Sequence, residues 1–151
     1  MIDAPTRVFL NEYFRKIALQ ERATIVALGF LQTHAHLLVR TGPRFDLPRL
    51  VQLLKGGSSY AASRQPRNVL GLRWNRAYSV ASVSPRLLPH AVAYIETQDS
   101  RHPSEAIPPC QDGKGEWPTL PDPISHAVGV GPTRHCASSA VLHWAHSSEW
   151  E

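Results

Sequence analysis

The chain has 151 residues, 42% of them apolar and 19% charged, and a net charge of +4. That length suits one domain and excludes a barrel enzyme of roughly 250 residues. Two cysteines, Cys110 and Cys136, make neither a disulfide framework nor a CxxC pair, and no segment has the apolar core of a signal peptide or the length of a membrane span, so a cytoplasmic protein without a membrane partner is expected.

The charge is unevenly spread. Residues 1–100 carry 13 Lys/Arg against 6 Asp/Glu, and residues 101–151 carry 3 against 6, giving +7 and −3. A basic body of this kind is suited to a polyanion, because phosphate neutralisation by Lys and Arg dominates nucleic-acid affinity. A merely solvated basic surface explains the same numbers.

In chain order, Ala4 to Arg22 reads as a helix with an apolar stripe of Val8, Phe9, Tyr13, Ile17 and Leu19. Thr24–Leu31 is an apolar run of strand length, and His34–Arg40 follows as its antiparallel neighbour. Thr41-Gly42-Pro43 breaks the pattern. Asp46 then caps a second helix burying Leu50, Val51, Leu53 and Leu54, which Gly56 and Gly57 are expected to weaken or end. Tyr78–Val83 is a third strand. Ser84-Pro85 opens a last helix reaching about Gln98, with Pro89 disturbing its first turns. Strands separated by helices in so short a chain predict an α+β fold, helices packed on a small antiparallel sheet. Residues 1–102 form the expected domain. Seven of the 13 prolines fall between Pro103 and Pro132, so residues 103–151 read as a mostly flexible tail in which Val141–Trp144 alone could dock. Removal of residues 108–151 is then expected to leave nucleic-acid binding intact or slightly tighter.

Chemistry concentrates in two places. His34 and His36, two apart on a strand, point to one face. Alone, such a pair is as readily a surface feature as a metal site. Tyr94 and Gln98, four apart, share a helical face. Packed over the strand, Gln98 would complete a three-donor site with open positions, and Tyr94 would lie one turn from anything the metal holds. A metal with free positions polarises a phosphoryl oxygen, and a tyrosine beside it can attack phosphorus. Lys55, Arg64, Arg67, Arg73 and Arg76 surround the second helix and the following loop as candidate phosphate contacts, with solvated charges as the plain alternative. Trp74 reads as core, His90 as a helix-surface histidine, and the tail histidines His102, His126, His135, His143 and His146 carry no regular ligand spacing.

Taken together, FLQTHAHLLVR, LVQLLKGGSSYAASR and LRWNRAYSVASVSPRLLPHAVAYIETQDSRHP resemble, in order, the His-hydrophobic-His strand, the Leu-Lys-Gly-Ser helix and loop, and the Trp…Tyr…Ser-Val-Ser block with its Tyr-Ile-x-x-Gln helix of the single-tyrosine HUH transposases. That family contains small insertion-sequence and REP-associated tyrosine transposases. The resemblance covers about residues 4–107. It implies a ferredoxin-like or RRM-like sheet, His34, His36 and Gln98 as ligands of divalent Mg or Mn, and Tyr94 as the nucleophile forming a 5′-phosphotyrosine link to single-stranded DNA. It also implies hairpin DNA as substrate and, in many members, a homodimer in which the tyrosine helix crosses to the partner. The family pattern has a strand before the first helix, commonly with a His and aromatic residues; this chain begins almost at the helix, so that first strand is expected to be missing. A catalytically dead relative that only binds single-stranded nucleic acid is the alternative, and its binding would be indifferent to Tyr94→Phe and to chelator. Histidine-triad hydrolases need a third His where Leu38 stands.

Overall fold

The first helix begins where Asp3 accepts a hydrogen bond from the Thr6 amide at 2.9 Å, with Pro5 in the first turn, and α1 runs Ala4–Gln20. The computed structural model describes residues 1–64, 71–108 and 138–145. The face α1 buries is Phe9, Leu10, Phe14 and Ala18, whereas Val8 and Leu19 of the expected stripe are exposed. Positions i, i+4 and i+8 from Leu10 define the buried line, and the flanking apolar residues blurred it in the sequence. The helix closes with Arg22 at φ 60° and a hydrogen bond of 2.8 Å from the Ala23 amide to the Ala18 carbonyl. That is the pattern of a helix end turned through a left-handed residue.

Strand β1 (Thr24–Phe30) pairs antiparallel with β2 (His34–Thr41), Gly29 facing His36 and Ala27 facing Leu38. Asp46 caps α2 (Leu47–Gln52) by accepting from the Arg49 amide at 3.0 Å. The two glycines expected to weaken or end this helix do not end it. It continues through a wider π-helical stretch, Leu53–Gly57, into α3 (Ser58–Ser63). A Cβ on Gly57 would lie 2.1 Å from the Tyr13 hydroxyl, so this glycine is where the tyrosine of α1 crosses the helix. Strand β3 (Ser79–Val83) leads through a turn to α4 (Leu88–Glu96), where Pro89 rather than Pro85 occupies the first turn. The helix breaks at Thr97, whose hydroxyl bonds back to the Ala93 carbonyl at 2.7 Å, and resumes as α5 (Gln98–Arg101).

The largest departure from the sequence reading is in the supposed tail. Ser138–Ala145 is strand β4, antiparallel to both β2 and β3, and the sheet order is β1-β2-β4-β3. A central strand thus comes from the far end of the chain. Residues 103–107 are also anchored: the Gln32 amide donates to the Glu105 carbonyl at 2.8 Å, the Gln32 side chain donates to the Ala106 carbonyl at 2.7 Å, and Ile107 is buried.

Alternation sorts the sheet's two faces. Ala35, Leu37, Val39 and Leu142 join Phe9, Leu10, Phe14, Leu50 and Leu54 in the main core beneath α1, α2 and α3. Ala27, Leu38, Val83 and Val141 meet Ile95, Leu88, Ala91 and Val92 of α4 on the other face. The fold is α+β, a small antiparallel sheet with helices on it. Among the described residues, no helix is long and apolar enough to cross a membrane.

Candidate metal centre and nucleophile

His34, His36 and Leu38 alternate onto the α4 face of β2, and only Leu38 is covered by that helix's apolar cluster. The register then draws a row across the sheet. Gly29 of β1 faces His36, His36 faces His143 of β4, and His143 faces Ser79 of β3. Directly opposed residues present their side chains on one face, with Cβ atoms about 5 Å apart. His34, His36 and His143 consequently form a cluster whose potential ligand nitrogens all lie within 4.8 Å of one another. The ring centroids are 5.0 Å apart for His34 and His36, 5.0 Å for His34 and His143, and 4.5 Å for His36 and His143. Metal–nitrogen bonds of about 2.1 Å put two ligands about 3.0–3.4 Å apart, so small ring rotations bring these nitrogens to one ion.

The hydrogen bonds around His34 fix which nitrogen it offers. The Thr33 hydroxyl donates its one proton to Glu105, so toward His34 Nδ1, 2.8 Å away, it can only accept. A Glu105 carboxylate oxygen lies 3.3 Å from the same nitrogen. Nδ1 therefore carries the hydrogen and Nε2 keeps its lone pair for a ligand, the arrangement by which carboxylates orient metal-binding imidazoles. Burial, followed by the neighbouring His143, holds the His34 imidazole below its ordinary pKa in spite of Glu105. Burial, then His143, His34 and His102, push His36 down to about 4, and burial lowers His143 as well. All three directions favour neutral imidazole, the form that binds metal.

Gln98 is 2% exposed, and its carboxamide oxygen and nitrogen make no hydrogen bond among the described residues. Leaving such a buried group unpaired costs on the order of 1–3 kcal/mol, which makes it conspicuous. Its oxygen lies 3.0 Å from where a Cβ on Gly29 would be, in the space that the missing side chain opens beside His36. The Ile95 carbonyl would be 2.9 Å from that Cβ, so glycine at 29 is what lets the α4–α5 junction come down on β1. Tyr94 is 40% exposed, and its ring meets that of His36 edge-on, with centroids 5.9 Å apart and planes at 83°. The Arg101 guanidinium lies 5.6 Å from the same ring centre. The three imidazoles and an accessible phenol thus lie together, and a buried amide lies beside Gly29, the residue paired with His36; the break at Thr97 leaves Tyr94 and Gln98 very differently exposed.

The basic candidates divide. Lys55 turns inward, donating to the carbonyls of Arg76 and Ala77 at 3.1 and 3.0 Å with its ammonium 5.6 Å from the Tyr78 ring centre. Burial lowers its pKa. Arg64 stacks 4.5 Å over Tyr60, Arg73 and Arg76 are exposed, and Arg67 lies outside the described residues. Trp74 donates to Ser58 at 2.8 Å and packs against the core, as its sequence context suggests. His90 is exposed on α4. His143 is the residue that sequence reasoning missed. In a proline-rich context, the short run AVLHWA gives no sign that it lies beside a strand more than a hundred residues away.

The comparisons with known proteins point to one family. ISDra2 transposase TnpA of Deinococcus radiodurans is 30% identical over 97 residues, which span 61% of this chain and 69% of that protein. No solved structure matches the chain. The family described as "Transposase IS200 like" matches residues 1–98, a stretch that takes in His34, His36, Tyr94 and Gln98, and the chain belongs to this family of transposases.

Proposed function

We propose that the protein nicks and rejoins single-stranded DNA, with Tyr94 as nucleophile and a divalent Mg or Mn ion held by His34, His36 and Gln98. The observation that carries this reading is the edge-on contact of Tyr94 with His36 at 5.9 Å, which leaves the phenol accessible beside the imidazoles. The phenolic oxygen bonds to phosphorus as the bond from phosphorus to the 3′ oxygen breaks. The phenol gives up its proton and the departing oxygen takes one, leaving a 5′-phosphotyrosine and a free 3′-hydroxyl. Attack by another 3′-hydroxyl on that phosphotyrosine reverses the exchange and joins the strands. A bound divalent ion would neutralise charge on a phosphoryl oxygen and orient the diester. Arg101 over the Tyr94 ring supplies a cation near the reacting diester, and Arg64, Arg73 and Arg76 contact backbone phosphates. The substrate is single-stranded or hairpin DNA, handled by one chain or by a homodimer.

The test is covalent capture. Wild-type protein incubated with a labelled single-stranded hairpin and Mn should yield a protein–DNA adduct stable to denaturation. Tyr94→Phe removes only the phenolic oxygen, so it should bind the hairpin and form no adduct. An adduct with the Tyr94→Phe protein would defeat the assignment. Hairpin binding by wild type without an adduct under any metal would mark a catalytically dead relative.

A further inference from the structure

We propose that strand β4 belongs to the metal centre: His143 is its third imidazole, so the chain offers three histidine nitrogens from two adjacent strands and favours Zn(II) or Co(II) over Mg(II). The proposal deepens the reading above by naming the donor set and hence the class of metal, and it rests on that reading for the use to which the ion is put.

Three independent features support it. The ladder pairs His36 directly with His143, and residue-by-residue pairing holds from His34 to Thr41, so the placement does not depend on one side chain's rotation. The three rings are mutually within 5.0 Å, and their ligand nitrogens lie within 4.8 Å of one another. The hydrogen bonds of Thr33 and Glu105 leave Nε2 of His34 as its donor atom. Gln98 sits on the β1 side of His36 and His143 on the β4 side, so the two do not compete for one position.

The chemistry of the donors then sets the preference. Carboxylates, carbonyls and water suit Mg(II), whereas imidazoles suit Zn, Ni and other late first-row ions. Three imidazoles with a remaining open position are a donor set that catalytic zinc uses. A third imidazole donor moves a site away from Mg(II).

The experiment is metal binding by the full-length, metal-stripped protein. Titration calorimetry with Zn(II), Co(II), Mn(II) and Mg(II) should show one site, with Zn(II) and Co(II) bound at least about tenfold more tightly than Mg(II). Loss of a group that merely orients a ligand costs 10–100-fold, so His143→Ala should weaken Co(II) binding by at least about tenfold, as should His34→Ala. Both should change the visible spectrum of the Co(II) protein. His102→Ala is the control, since among the described residues His102 lies outside the group of close nitrogens. Circular dichroism checks folding, and His143→Gln, which keeps the strand and a polar side chain, replaces His143→Ala should that variant not fold. If either His143 variant binds Co(II) as tightly as wild type while His34→Ala is weakened, the proposal is overturned; a site preferring Mg(II) to Zn(II), or binding neither Zn(II) nor Co(II), overturns it too. The adduct assay keeps the two readings apart. Metal binding that depends on His143 without any adduct sustains this centre and defeats the function above. An adduct with metal binding indifferent to His143 does the reverse.

Discussion

Glu105 illustrates how a single side chain sets the chemistry of another. It accepts the Thr33 hydroxyl's hydrogen bond and faces Nδ1 of His34 at 3.3 Å, so the imidazole's tautomer is decided outside the ring. Glu105→Gln keeps the size but replaces the acceptor-only carboxylate by an amide that can donate. The His34 ring loses its orientation, and metal affinity measured by titration should fall about 10–100-fold. A variant that binds metal like wild type would mean that Thr33 alone orients His34. The same cluster governs the response to acid. Burial and its histidine neighbours depress His36 to about 4, whereas an unfolded chain returns it to 6.5. Between these values the unfolded state binds more protons, so stability is fully present above about 6.5 and drains away as pH falls toward 4. His34 and His143 shift in the same direction and add to the trend. The urea midpoint of the metal-free protein should therefore drop steadily from pH 7 to pH 4.5, and His36→Gln should flatten that slope. His34, His36, Tyr94 and Gln98 were legible as candidates because strand and helix periods are local properties. Glu105 and Thr33 were not, since their roles exist only once residue 105 has folded back onto residue 33.

At the level of elements, the helix from Leu47 to Ser63 shows why glycine spacing misled the sequence reading. Gly56 and Gly57 look like a helix end, yet the backbone continues through them as a π-helical stretch. The Tyr13 hydroxyl occupies the space a Cβ on Gly57 would need. Gly57 thus allows a close approach, a purpose that a sequence pattern cannot separate from helix termination. Gly57→Ala should destabilise the protein by about 1–3 kcal/mol, the range for forcing an extra group into a packed site. Tyr13→Phe removes the obstructing oxygen. In the Gly57→Ala, Tyr13→Phe double variant the loss should be partly recovered, and a coupling energy near zero in the thermal-denaturation cycle would show that the two residues do not meet. Gly29 follows the same logic on β1, where its bareness admits Gln98 and the Ile95 carbonyl. The α1 stripe was misplaced for a related reason: apolar residues on the exposed flank, Val8 and Leu19, are indistinguishable in sequence from those that pack.

Across the whole molecule, the sheet joins strands far apart in sequence, with Ser138–Ala145 between His34–Thr41 and Ser79–Val83. The α+β class, the β1–β2 hairpin and the helix over it follow from alternation and capping within short windows, and all were legible. The place of β4 was not, because a strand buried between two others is specified by its neighbours rather than by its own short apolar run. This arrangement reverses the outcome expected for truncation. With residues 108–151 removed, β3 loses the strand it pairs with among the described residues, and the inner edge of β2 from His34 to Thr41 loses its partner. Leu142, fully buried in the main core, leaves a cavity, and Val141 leaves the cluster under α4. Truncating a buried leucine to alanine alone costs about 2–5 kcal/mol, against a total stability for a domain of about 5–15 kcal/mol. The truncated protein is therefore expected to lose its cooperative thermal transition, which near-ultraviolet circular dichroism would follow. Leu142→Ala in the full chain is the graded version: at about 2–4 °C per kcal/mol for a chain of this size, its melting temperature should fall by roughly 4–20 °C. A truncated protein that melts cooperatively at the wild-type temperature, alongside an unshifted Leu142→Ala, would show that the sheet closes without residues 138–145, and that the C-terminal segment is the appendage its composition suggests.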